Sequence, residues 1–117
     1  MSNKILVNCG YDADDTERTT VAFIVASAAA ADHETVVFLT ADSVKIGLPG
    51  GADGVQAEGH EPLKGYVDAL LENGGKLWVC PACAKPRKIT EDDLAEGAEW
   101  RGAMPMIEFT KEATILL

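Results

Sequence analysis

The stretch Lys76-Leu77-Trp78-Val79-Cys80-Pro81-Ala82-Cys83-Ala84-Lys85-Pro86-Arg87-Lys88-Ile89-Thr90 reads as a short apolar strand that runs into a cysteine. Pro81 stops the strand pairing, because proline has no N–H and a fixed φ. The same proline suits the first position of a helical turn. That leaves Cys80 at the start of the turn, where unpaired N–H groups favour a thiolate. Cys83 completes a C-x-x-C spacing. Lys85, Arg87 and Lys88 put three of the chain's ten cations within four residues. A strand that hands over to a helical turn needs other strands beside it, and the chain supplies them on both sides.

Upstream, Lys4-Ile5-Leu6-Val7-Asn8-Cys9 is a nearly continuous apolar run, the pattern of a strand buried on both faces in a parallel sheet. Gly10 ends it, and Asp14 or Asp15 can cap a helix over about Thr16–Ala31. The alanines of that helix allow close approach to a sheet, and His33 follows its end. Thr35–Leu39 is a second buried, β-branched strand. Thr40–Pro62 holds five glycines, with one short helical turn predicted at Ala41–Ile46 and a long flexible connection after it. Pro62 opens a helix to about Glu72, which Asn73-Gly74-Gly75 closes. Downstream of the cysteines, Thr90 and Asp93 form a capped turn. Ala98–Trp100 is a short strand, Met104–Ala113 a helix, and Thr114–Leu117 a last strand.

This alternation predicts an α/β fold: a three-layer α/β/α domain with a mainly parallel five-stranded sheet. The 117 residues suffice for one domain over 1–117, with 47% hydrophobic residues to fill its core. A formal net charge of −9 argues against nucleic acid and anionic membrane as partners. No apolar run approaches the roughly 20 residues that span a bilayer. The N-terminus runs straight into a strand with no signal-peptide pattern, so the expected location is the cytoplasm.

Three cysteines, an odd count, point in a reducing compartment to thiol chemistry and not to a disulfide framework. A closed zinc site needs four ligands, and no second paired motif accompanies Cys80 and Cys83, so neither a metal nor a cofactor is expected. Ligands of parallel sheets bind at the carboxyl ends of the strands, where Cys9 and Cys80 both fall. Cys80 is the leading catalytic candidate. Cys83 either resolves it or packs under the turn. Cys9 and His60, the latter in the glycine-rich loop, are candidates for contacting a substrate, His60 by giving a proton or orienting the thiolate. Arg87 and Lys88 are either solvated or hold an anionic sulfur species. Trp78 reads as core or subunit interface, and Met104-Pro105-Met106 as packing.

The order of these elements, with a strand ending Val79-Cys80 and the segment Ile89-Thr90-Glu91-Asp92-Asp93-Leu94 after the cysteines, resembles the DsrE/DsrF-like family over Lys4–Leu117. That resemblance implies sulfur-relay chemistry in trimers or hexamers, with a cysteine at the end of the third long strand holding sulfur as a persulfide. The role carries over to Cys80 alone, since Pro81-Ala82-Cys83 is not a general family feature. The partners implied are sulfur-donor or sulfur-acceptor proteins, for a carrier with sulfurtransferase character. The residues leave two other functions open: a thiol-disulfide redox protein using Cys80 and Cys83, and an oligomeric binding domain with passive thiols.

Overall fold

The computed structural model describes residues 4–116, so Met1–Asn3 and Leu117, the end of the expected last strand, lie outside it. Five strands form one sheet: β1 (Lys4–Cys9), β2 (Glu34–Leu39), β3 (Lys76–Val79), β4 (Ala98–Trp100) and β5 (Ala113–Leu116). Their order is β4-β3-β2-β1-β5, and each of the four pairings is parallel. The helices are α1 (Thr16–Ala30), α2 (Leu63–Glu72), α3 (Pro81–Ala84) and α4 (Ala103–Thr110). The expected helix over Met104–Ala113 stops at Thr110, and Ala113 already belongs to β5.

The direction of travel decides which helix covers which face. From β1 to β3 the chain steps one way across the sheet, and right-handed crossovers put α1 and α2 on the same face. From β4 the chain must return past β3, β2 and β1 to reach β5. The same handedness puts α4 on the opposite face. Side chains alternate along each strand to match. Val7, Cys9, Val37, Leu39, Leu77 and Val79 join Ala22, Phe23, Ala26, Leu63, Val67 and Leu70 in the larger core. Leu6, Val36, Phe38, Trp78 and Cys80 pack with Phe109 of α4 on the other side.

The second layer is thin. Of the eight residues of α4 only Phe109 is buried. Its ring meets Trp78 edge-on, with centroids 5.4 Å apart and planes at 71°. Met104, Ile107 and Ile115 stand 76%, 50% and 56% exposed on and beside this helix.

The glycine-rich segment is less loose than its composition suggests. Its first part is a 3-10 turn, Ala41–Gly47, that buries Val44 and Ile46. Ala52 and Ala57 are buried further along, and the N–H of Leu63 returns to the carbonyl of Val55 at 2.9 Å. Small residues let this connection lie on the core instead of arching over it. A Cβ on Gly51 would collide with the carbonyl oxygen of Lys45.

Candidate functional site

Cys80 lies one residue beyond β3, and its N–H donates to the carbonyl of Leu39 at 3.1 Å, so it extends the sheet before Pro81 turns the chain. Pro81 opens α3 with Cys80 as its N-cap, as the missing N–H of proline requires. The N–H of Ala84 donates to the carbonyl of Cys80 at 2.9 Å, and that of Cys83 at 3.1 Å. The turn continues as a 3-10 segment, Lys85–Arg87.

The turn ends at Lys88, which sits in the left-handed region at φ 60°. The N–H of Ile89 bonds the carbonyl of Ala84 at 3.1 Å, and that of Lys88 bonds Lys85 at 3.0 Å, the paired bonds of a Schellman cap. Ile89 is buried behind it. Lys88 thus occupies a position usually given to glycine. Thr90 follows with its N–H donating to the Asp93 carboxylate at 2.8 Å, in the capping box expected from the sequence.

Cys80 is only 9% exposed, beneath the α4 side of the sheet. Burial pushes its thiol above the ordinary range, and the neighbouring Cys83 thiol pushes the same way. The backbone N–H groups of Cys83 and Ala82 act the other way and favour the charged form. The expected effect of the turn's N-terminus is therefore present, but desolvation outweighs it. The sequence predicts that the turn's N-terminus favours a thiolate; against it, a strand end that continues a closed sheet is dry, and dryness penalises charge.

The cations do not reverse that balance. The guanidinium of Arg87 donates from Nε and Nη2 to Oδ1 of Asp42, at 3.1 and 2.8 Å, and from Nη1 to the carbonyl of Cys83 at 3.0 Å. That guanidinium holds the Asp42 carboxyl below the usual range. Lys85 and Lys88 are exposed.

Cys9 and Cys80 share the carboxyl edge of the sheet but face opposite sides of it. Cys9 ends β1, paired with Leu39, and is 2% exposed in the core under α1 and α2. Burial raises its thiol too, helped by the charges of Asp12 and Asp14. It forms the floor of a cleft of about 710 Å³ walled by Tyr11, Glu17, Arg18, Val21 and Ala22. This cleft lies beside β1, where the strand order reverses between β1 and β5, which is the usual ligand position in open parallel sheets.

His60 belongs to the Cys9 side. Its Nε2 lies 3.3 Å from Oε2 of Glu17 on the first turn of α1, so it ties the glycine-rich connection to that helix. The structure thus brings Cys80, Cys83 and Arg87 together, puts Lys88 in the cap that ends their turn, and leaves Cys9 and His60 on the other face. The sequence analysis missed Asp42 and the cleft residues Tyr11, Glu17 and Arg18. Asp42 is separated from Arg87 by 45 positions, and no local pattern links them.

Comparison with known proteins places this geometry. A family model described as "DsrE/DsrF-like family" matches residues 3–117. An uncharacterized protein of Methanocaldococcus jannaschii is 30% identical over 79 residues, which cover 68% of this chain and 29% of that protein. An uncharacterized protein of Methanopyrus kandleri is 28% identical over 84 residues, 69% of this chain and 64% of that one. The chain thus matches less than two thirds of the length of either relative. The crystal structure of the ychN protein from E. coli shares the fold, with a TM-score of 0.77, 20% identity and 97% of each chain covered.

Proposed function

The chain belongs to the DsrE/DsrF-like family, and on that premise we propose that it is a sulfur carrier, loading sulfane sulfur on Cys80 as a persulfide and passing it to a partner protein. One observation carries this reading. Cys80 stands at the end of β3 as the N-cap of the turn that Pro81 opens, with Cys83 packed against the same cluster of side chains. The Cys80 thiolate attacks the outer sulfur of a donor persulfide R–S–SH. A bond forms from Cys80 to that sulfur, the donor's S–S bond breaks, and R–S⁻ leaves with the electron pair and takes a proton. The persulfide anion left on Cys80 is a softer, more diffuse anion than a thiolate, and the backbone N–H groups of Ala82 and Cys83 favour the charged form.

Loading starts from a buried, protonated thiol, so the donor must meet Cys80 where it can be deprotonated. The exposed apolar residues on α4 and β5 favour a trimer or hexamer in which this thin face is covered. The carrier is read as one domain over 1–117 acting in the cytoplasm. Among the described residues no helix is long and apolar enough to cross a membrane. In this reading the protein is a relay component with sulfurtransferase character and no turnover of its own.

A second reading has its own support. The N–H of Cys83 donates to the carbonyl of Cys80 at 3.1 Å and Cys83 packs against the cluster that holds Cys80, an arrangement suited to closing a disulfide. Mass spectrometry after treatment with a persulfide donor separates the two. The carrier gains one sulfur on Cys80, whereas the redox protein loses two hydrogens across Cys80 and Cys83. Cys80→Ser should abolish sulfur gain. Undiminished uptake by that variant would move the role to another cysteine.

A further inference from the structure

Arg87 links the cysteine turn to another strand end. One guanidinium holds the carbonyl of Cys83 and the carboxylate of Asp42, which belongs to the 3-10 turn directly after β2. That turn is anchored in the core by Val44 and Ile46, so Asp42 is a fixed point. The cysteine turn is weaker by itself: α3 has four residues, followed by a three-residue 3-10 segment. So short a helix is not stable on its own hydrogen bonds. We propose that Asp42 and Arg87 are positioning residues that hold the Cys83 peptide so that its thiol stays beside Cys80.

This rests on the reading of Cys80 as carrier and gives Cys83 a discharge step apart from transfer to a partner, used when no acceptor takes the sulfur. The Cys83 thiolate attacks the Cys80 sulfur of the persulfide. A Cys80–Cys83 disulfide forms, the bond to the outer sulfur breaks, and that sulfur leaves as hydrosulfide with the electron pair. Two equivalents of a small thiol then reduce the disulfide and are themselves joined as a disulfide. The brace acts only on the closing of the pair, by raising the effective concentration of one thiol at the other. Both charged groups are partly exposed, at 31% and 43% of the side chain, so their pairing contributes little to global stability. That separates positioning from mere structure.

The test uses the whole chain with Arg87→Gln, Asp42→Asn and the double substitution. The Cys80–Cys83 disulfide is equilibrated in glutathione buffers, trapped by alkylation and counted by mass spectrometry. Each single variant should lose about tenfold in disulfide stability, about 30 mV, with Arg87→Lys between them and wild type. The double variant should lose no more than either single one, because both remove the same brace. Hydrosulfide release from loaded protein should slow about tenfold, and Arg87→Gln should change nothing further in a Cys83→Ser background. A disulfide equilibrium within twofold of wild type overturns the proposal, as does an undiminished effect of Arg87→Gln without Cys83. If wild type takes up no sulfur, the carrier reading fails, while the disulfide equilibrium still decides the brace.

Discussion

Phe109 is the residue by which α4 holds the sheet face that covers Cys80. It is the one buried side chain of that helix, it meets Trp78 edge-on, and the Lys4 ammonium lies 5.4 Å from its ring centre. Phe109→Ala removes about 2–3 kcal/mol of apolar burial and about 1 kcal/mol of aromatic pairing. The site is near the surface and can partly collapse, so the cavity penalty is small, and we expect a total of about 3–4 kcal/mol. For a chain of this size that corresponds to a fall in Tm of about 10–15 °C. Phe109→Leu keeps most of the volume and should cost about 1 kcal/mol. The functional consequence is separate from stability. With α4 loosened, Cys80 should react several-fold faster with iodoacetamide under native conditions, while Cys9, on the opposite face, should not change. Urea unfolding gives the first quantity and mass spectrometry of the alkylated cysteines the second. A loss below 1 kcal/mol together with an unchanged Cys80 rate would refute the reasoning, since α4 would then not be what shields the thiol.

Lys88 occupies a left-handed position that costs a side chain about 1 kcal/mol, so Lys88→Gly should stabilise the chain by about 0.5–1 kcal/mol in urea unfolding. Sulfur loading should survive that change, and its loss would restore Lys88 as an anion-holding group. Burial raises the Cys9 and Cys80 thiols in the folded state. Their contribution to stability is therefore complete below the ordinary thiol pKa and is lost as pH rises through the raised values. Unfolding followed from neutral to alkaline pH should show Cys9→Ala losing less stability with rising pH than wild type; parallel curves would rule out Cys9 as a source of the slope.

How far the chain could be read in advance follows from the range of the forces involved. Apolar runs at Lys4–Cys9, Thr35–Leu39 and Lys76–Val79 set strands buried on both faces, so the parallel sheet was legible, as were the Thr90–Asp93 capping box and the turn begun by Pro81. The pattern of each strand is written in its own residues, because side-chain alternation and missing N–H groups act within a few positions. The placing of Cys9 and Cys80 at one edge was likewise a consequence of strand direction. What local pattern cannot contain is the face on which a side chain ends and the neighbour that meets it there. Residue parity in β1 and β3 turns Cys9 toward α1 and α2 and Cys80 toward α4, and the strand order decides which helix waits on each side. The Cys80 thiol is raised by desolvation, which depends on how the sheet and α4 close around it and not on the cations beside it in sequence. Arg87 stands next to the cysteines in the chain but spends its charge on Asp42, because the fold brings the turn after β2 against the turn after β3. Local sequence determined the elements and which chemistry was available; the packing of those elements decided which groups share a face and which charges are already paired.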